Sequence, residues 1–100
     1  MTELREHFLK EIERERERQE KKFPNRHHSL TMWLAILMEE VGELAEAILH
    51  YTSGEGDREY ISEEATQVSA VALALNEQLA QDEQPVQGSQ SSVYWPHPGA

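Results

Sequence analysis

Apolar residues recur along the chain at intervals of three and four, and the pattern predicts helices and no strand. Leu4, Phe8 and Ile12 mark a thin apolar stripe on a first helix, expected from Thr2 to about Lys22. The rest of that segment mixes Glu with Lys and Arg at spacings that allow i,i+3 and i,i+4 pairing. The stripe fades through Glu13 to Glu20, and the charge run reads as a solvated helix face. Phe23-Pro24-Asn25 breaks the helix, because Pro24 disfavours helical geometry at the residue before it. A second helix is expected to start at Ser29 or Thr31, either of which can cap it, and to run to about Tyr51. Its main stripe, Leu30, Leu34, Leu37, Val41, Leu44 and Ile48, predicts one buried face, and Ser53-Gly54-Glu55-Gly56 ends it. Asp57 is the expected N-cap of a third helix reaching about Asp82, with Ile61, Ala65, Val68, Ala72, Leu75 and Leu79 at the same repeat. From Pro85 the composition turns to Pro, Gly, Gln and Ser. Residues 1–84 are therefore expected to form one helical domain and residues 85–100 a flexible tail. The tail ends in Val93-Tyr94-Trp95-Pro96, an aromatic surface large enough to dock.

Length and composition change this picture in one respect. A chain of 100 residues with a hydrophobic fraction of 38% has too much surface for its volume to bury a generous core alone. The second helix is apolar on its main stripe and again around Glu40, more than one neighbouring helix can cover. The expected fold is thus all-α: a helical hairpin with an added N-terminal helix, completing a four-helix-bundle-type core as a homo-dimer or tetramer. There is no cysteine, which excludes disulfides, thiolate metal sites and thiol nucleophiles. The longest apolar run, Met32 to Met38, is far too short to cross a bilayer. The charged N-terminus lacks the apolar stretch of a signal peptide, so a cytoplasmic protein without a membrane partner is expected.

The net charge of −10 opposes binding to a nucleic-acid polymer, whose phosphates are held by Lys and Arg. Its distribution is more informative than its size. Eight of the nine basic residues precede Ser29, and from Ser29 onward Arg58 stands against twelve acids. Such a surplus on packed helices repels itself unless a cation offsets it.

The densest acidic stretch is Glu39-Glu40-Val41-Gly42-Glu43-Leu44-Ala45-Glu46 on the second helix. Helical geometry puts Glu40 and Glu43 on adjoining turns of one side and stacks Glu39 and Glu43 at i,i+4. Their neighbours there are Trp33, Ile36 and Ala47, so these carboxylates interrupt a second apolar surface. Buried without a counter-charge they would cost more than the packing gains. Oxygen ligands in this arrangement suit Mg²⁺ or Mn²⁺, the alternative being a Glu-rich helix whose acids simply face water. On the third helix Glu64, Gln67 and Val71 share a side, and antiparallel packing across the short loop would bring Glu64 and Gln67 toward Glu40 and Glu43.

Glu-Glu-x-x-Glu on one helix and Glu-x-x-Asp on the next resembles the signature of MazG-like all-α nucleoside triphosphate pyrophosphohydrolases. Glu39-Glu40-Val41-Gly42-Glu43 matches the first half, and Glu64-Ala65-Thr66-Gln67 matches the second except at its last position. The similarity runs from about Glu15 to Leu79, through Arg18-Gln19-Glu20-Lys21-Lys22-Phe23, His28, Trp33-Leu34-Ala35-Ile36-Leu37 and Gln67-Val68-Ser69-Ala70-Val71-Ala72. It implies Mg²⁺-dependent cleavage between the α and β phosphates, with release of a nucleoside monophosphate and pyrophosphate. It also implies Glu40, Glu43 and Glu64 as metal ligands, Glu39 as a further ligand or the base for the attacking water, and Gln67 as a neutral ligand. Mn²⁺ is an alternative to Mg²⁺. Trp33 is a candidate to stack on the nucleobase, the alternative being a core aromatic. Lys21, Lys22 and Arg18 are candidates to contact the triphosphate, the alternative being a solvated helix end.

Three other readings compete. A di-iron carboxylate bundle needs Glu-x-x-His pairs on inward faces, and positions 43 and 67 are Glu and Gln. A coiled-coil module fits the first helix, but not the acids set within an apolar surface of the second. A non-catalytic MazG-like helical adaptor fits the departure at Gln67.

Overall fold

The computed structural model describes residues 2–83, and the tail with its aromatic end lies outside them. The described residues form three α-helices and no strand: α1 Thr2–Lys22, α2 Leu30–Thr52 and α3 Arg58–Glu83. Local chemistry accounts for each boundary. Glu20 accepts a hydrogen bond from the Asn25 backbone N–H (2.9 Å), closing the turn after α1, where Asn25 takes a positive φ of 56°. Of the two expected caps for α2, Ser29 is the one used: its backbone is extended and its hydroxyl accepts from the Met32 N–H at 3.1 Å. At the other end Gly54 adopts φ 91°, and the N–H of Glu55 returns to the His50 carbonyl at 2.8 Å. Asp57 caps α3 as expected, accepting from the Tyr60 N–H at 2.8 Å.

The central element is α3, which packs against both α1 and α2. Trp33 of α2 packs with Val71 and Ala74 of α3, and Ala47 on α2 and Ala70 on α3 are buried as well. Ile36, Leu37 and Leu75 pack against this core from its edge.

The expected buried face of α2 is not the face that packs within the chain. Leu30, Leu34, Val41 and Ile48 are exposed, at 58%, 59%, 42% and 42%, and only Leu37 and Leu44 of that stripe are half-buried. The neighbouring face, with Trp33, Ile36, Glu40 and Ala47, turns toward the core instead. The whole predicted stripe of α3, from Ile61 to Leu79, is likewise only half-buried. Three helices thus leave much of the Leu and Ile surface of α2 uncovered.

Two polar contacts that periodicity does not mark hold the helices in register. Arg16 pairs with Glu77 across α1 and α3, its Nε donating at 2.8 Å, so the inner edge of the charge run is not solvated. Gln78 is buried at 6% exposure. Its Oε1 accepts from the Trp33 indole N–H (2.8 Å) and the His28 backbone N–H (3.0 Å), and its Nε2 donates to the His28 carbonyl (2.7 Å). One side chain thereby ties α3 to the start of α2. Arg26 completes this end of the molecule, lying 5.1 Å from the Trp33 ring centroid and 5.8 Å from that of Phe23. Gln78→Met keeps the volume but strands a buried indole N–H and both backbone groups of His28. A loss of about 2–4 kcal/mol of stability is expected, at 1–3 kcal/mol for each buried group left without a partner and partial relaxation. Urea unfolding of the variant against wild type measures it.

Candidate metal centre

The face of α2 that packs on α3 carries Glu40 two turns beyond Trp33, where the buried tryptophan gives way to acids. Glu64, on the facing side of α3, is half-buried, and Glu43 sits at the exposed flank. One carboxylate oxygen from each of Glu40, Glu43 and Glu64 lies within 4.8 Å of the others. Oε1 of Glu40 and Oε1 of Glu64 are buried and have no hydrogen-bond partner.

Electrostatics at the cluster follow from this crowding. Burial pushes the Glu40 pKa above its ordinary value, and the charges of Glu43, Glu64, Glu39 and Glu15 push it further the same way. Glu64 is raised by burial, then by the charge of Glu43 and a hydrogen bond shared with it, against the opposing effect of the Tyr60 hydroxyl. The Tyr60 phenol is in turn raised, chiefly by the charge of Glu64.

Whether these residues fit a divalent ion can be judged from the donor set. All three donors are carboxylate oxygens, the ligands Mg²⁺ and Mn²⁺ prefer, and two have buried atoms otherwise unsatisfied. One oxygen from each lies within 4.8 Å of the other two, close enough for side-chain rotation to bring all three onto one small cation. The set fits.

The remaining sequence candidates fall in different places. Glu39 is exposed and outside the group of three. Gln67 is half-buried on α3 and lines a shallow pocket together with Glu15 of α1. Trp33 is 2% exposed, with its N–H on Gln78, an edge against His28 at 5.0 Å and Arg26 over its ring. It serves the core and leaves no open face for a nucleobase, because the α2 face that carries it is the one that packs. Arg18 is tied to Glu15 through two hydrogen bonds, of 2.9 and 2.6 Å. Lys21 and Lys22 are exposed at the end of α1, where the Lys22 ammonium lies 5.5 Å from the Phe23 ring centroid.

Glu15 is a half-buried acid, acting on Glu40 by its charge, that the sequence reading did not single out. Burial alone would raise its pKa, but hydrogen bonds from Arg18 and Gln19, with the Gln67 amide and the Arg18 charge, hold it below the ordinary carboxylate value. A signal for it existed: the four-residue spacing of Leu4, Phe8 and Ile12 extends by helical period to Glu15 and Gln19.

Compared with known protein families, curated proteins and solved structures, the chain matches none of them. No helix among the described residues is long and apolar enough to cross a membrane.

The raised carboxylates make stability pH-dependent in a stated direction. A carboxyl whose pKa is higher in the folded state binds more protons folded than unfolded, so stability falls as pH rises through its folded pKa. Glu40 and Glu64 place that fall above the ordinary carboxylate range. Glu15 and Glu20 are held low and act in the opposite window, their contribution being lost only as pH drops below that range. Metal-free protein is therefore expected to melt at lower temperature at pH 7.5 than at pH 5, and Glu40→Gln should flatten the slope. Mn²⁺ at about a hundred times its dissociation constant should restore about 2.7 kcal/mol at pH 7.5, roughly 10–20 °C in Tm. Melting curves over pH, with and without Mn²⁺, test both.

Proposed function

We propose that the chain is a Mg²⁺-dependent nucleoside triphosphate pyrophosphohydrolase that binds its metal through Glu40, Glu43 and Glu64. The observation that carries this reading is the convergence of three carboxylates from α2 and α3, two with orphaned buried oxygens, beside the face on which α2 packs. A protein with no use for a cation gains nothing from burying repelling acids where an apolar side chain would stabilise. The acids also coincide with the positions at which the sequence resembles MazG-like enzymes. When bound, the metal would neutralise phosphate charge and make a water more acidic. Glu40 and Glu64 hold their oxygens pre-aimed from two helices, and Glu43 closes the set from the exposed flank. Glu39, free on the solvent side of the same turn, orients the attacking water and takes its proton. Lys21 and Lys22, exposed at the end of α1, with Arg18 paired to Glu15 a turn earlier, are the basic residues that would meet a triphosphate. The homo-oligomer is part of this proposal, since the uncovered stripe of α2 adjoins the face that bears the site.

The non-catalytic adaptor is the competing reading, favoured by Gln67 standing where the resembled motif has Asp. Incubation of the protein with a panel of ribo- and deoxyribonucleoside triphosphates, with Mg²⁺ and with Mn²⁺, decides between them. Release of pyrophosphate and a monophosphate from at least one substrate is expected. Silence across the whole panel with both metals would leave the adaptor.

A further inference from the structure

Between α3 and the turn that joins α1 to α2 lies a cavity of about 100 Å³, lined among others by Arg16, Glu20, Arg26, Trp33, Glu77 and Gln81. At about 30 Å³ for each water, it has room for about three waters or one small ion. The fold treats its two guanidinium groups differently. Arg16 takes both carboxylates: Glu77 Oε1 accepts from its Nε at 2.8 Å and its Nη2 at 2.6 Å, and Glu20 Oε1 accepts from Nη2 at 3.1 Å. The other oxygen of Glu20 accepts from the Asn25 backbone N–H. Arg26, half-buried, receives neither acid, and among the described residues its side chain forms no ion pair. It lies instead over two rings, 5.1 Å from the Trp33 centroid and 5.8 Å from that of Phe23. An aromatic face attracts the charge but offers no oxygen, so the N–H donors of this fork remain unspent. Burial and then the Arg16 charge push the Arg26 pKa down, against the pull of Glu20, as expected of a cation short of counter-charge.

We propose that this cavity is a binding site for a small tetrahedral oxyanion of the phosphate type, gripped by Arg26 and separate from the metal centre. The two rings hold the guanidinium in place before the ion arrives, and its planar fork matches two oxygens of such an ion at once. Asn25 and Gln81, both exposed, line the same cavity and add neutral amide N–H donors. Glu20 and Glu77 are already turned onto Arg16, so an oxyanion there does for Arg26 what Glu77 does for Arg16. Trp33 precedes Glu40 by seven residues of helix, about 10 Å along α2, so the two sites share no ligand. A bound ion would tie the turn to α3 at the end of the molecule where Gln78 already joins α3 to the start of α2.

Titration of the full chain with inorganic phosphate tests this, in EDTA and at ionic strength fixed with sodium chloride, followed by NMR at the Trp33 indole N–H. A saturating shift is expected in wild type. Arg26→Gln should weaken the phosphate affinity at least tenfold, the scale of a lost charge-assisted hydrogen-bonding group. Arg58→Gln removes an equal charge outside the cavity and should leave the affinity unchanged. No saturating shift in wild type, wild-type affinity in Arg26→Gln, or equal losses in Arg26→Gln and Arg58→Gln would each overturn the site. Should circular dichroism show that Arg26→Gln does not fold, Arg26→Lys keeps the charge near the rings and removes the fork. It should bind several-fold more weakly, and wild-type affinity there overturns the proposal. With divalent ions removed throughout, the outcome is independent of the metal reading above.

Discussion

Replacing Glu40 and Glu43 together with Gln is expected to abolish pyrophosphate release while leaving a folded protein. Each substitution keeps the shape of the side chain but exchanges one oxygen for an NH₂ and removes a negative charge from the point where three carboxylates converge. Loss of a group that merely orients a ligand costs 10–100-fold, so loss of two charged ligands should reduce turnover by more than about a thousandfold. Stability should move the other way. Burial and the neighbouring acids disfavour the charged form of Glu40, so the neutral amide relieves repulsion in the metal-free state. A variant inactive yet more heat-stable than metal-free wild type at pH 7.5 is the expected signature. Undiminished turnover in the double variant would show that the acidic cluster is not the catalytic site.

The second large effect concerns assembly. Wild type is expected to sediment at micromolar concentration as a dimer or tetramer of the 11.5 kDa chain. Leu30, Leu34, Met38, Val41, Ile48 and Leu49 project from a contiguous side of α2, between 42% and 65% exposed. Each such side chain gains about 1.5–3 kcal/mol when fully buried, enough in sum to stabilise an oligomer despite the cost of association. Two copies of the same stripe meeting about a two-fold axis would form a four-helix core from α2 and α3 of each. Leu34→Glu with Val41→Glu places two like charges near that axis. It should yield monomers that melt far below wild type. A folded wild-type monomer at micromolar concentration would remove the assembly, and with it the four-helix core.

Most of the local structure was legible in the chain. Glu20 to Asn25, Ser29 and Asp57 set helix ends through contacts within five residues, and the helices fall within a residue or two of their expected limits. The acid spacing was legible for the same reason, since Glu40 and Glu43 share a side of any α-helix. Glu15 was hidden among the seven acids that precede Ser29, and only packing against α3 selects it from the others. Gln78 has no marker in the sequence, because its value lies in reaching Trp33 and His28 across fifty residues of chain.

What the sequence by itself determined is therefore the number, limits and apolar patterning of the helices, together with the carboxylates available to a site. These depend on interactions within one or two helical turns. The tertiary structure alone decided which face of α2 is covered, and it chose the less continuous one. Trp33 packs there with Val71 and Ala74 of α3, and Gln78 satisfies the indole that this buries. That choice turned Trp33 from a candidate base-stacking residue into core and carried Glu40 against Glu64. It also left the Leu30 to Ile48 stripe facing outward, because periodicity marks a face as apolar without naming what will cover it.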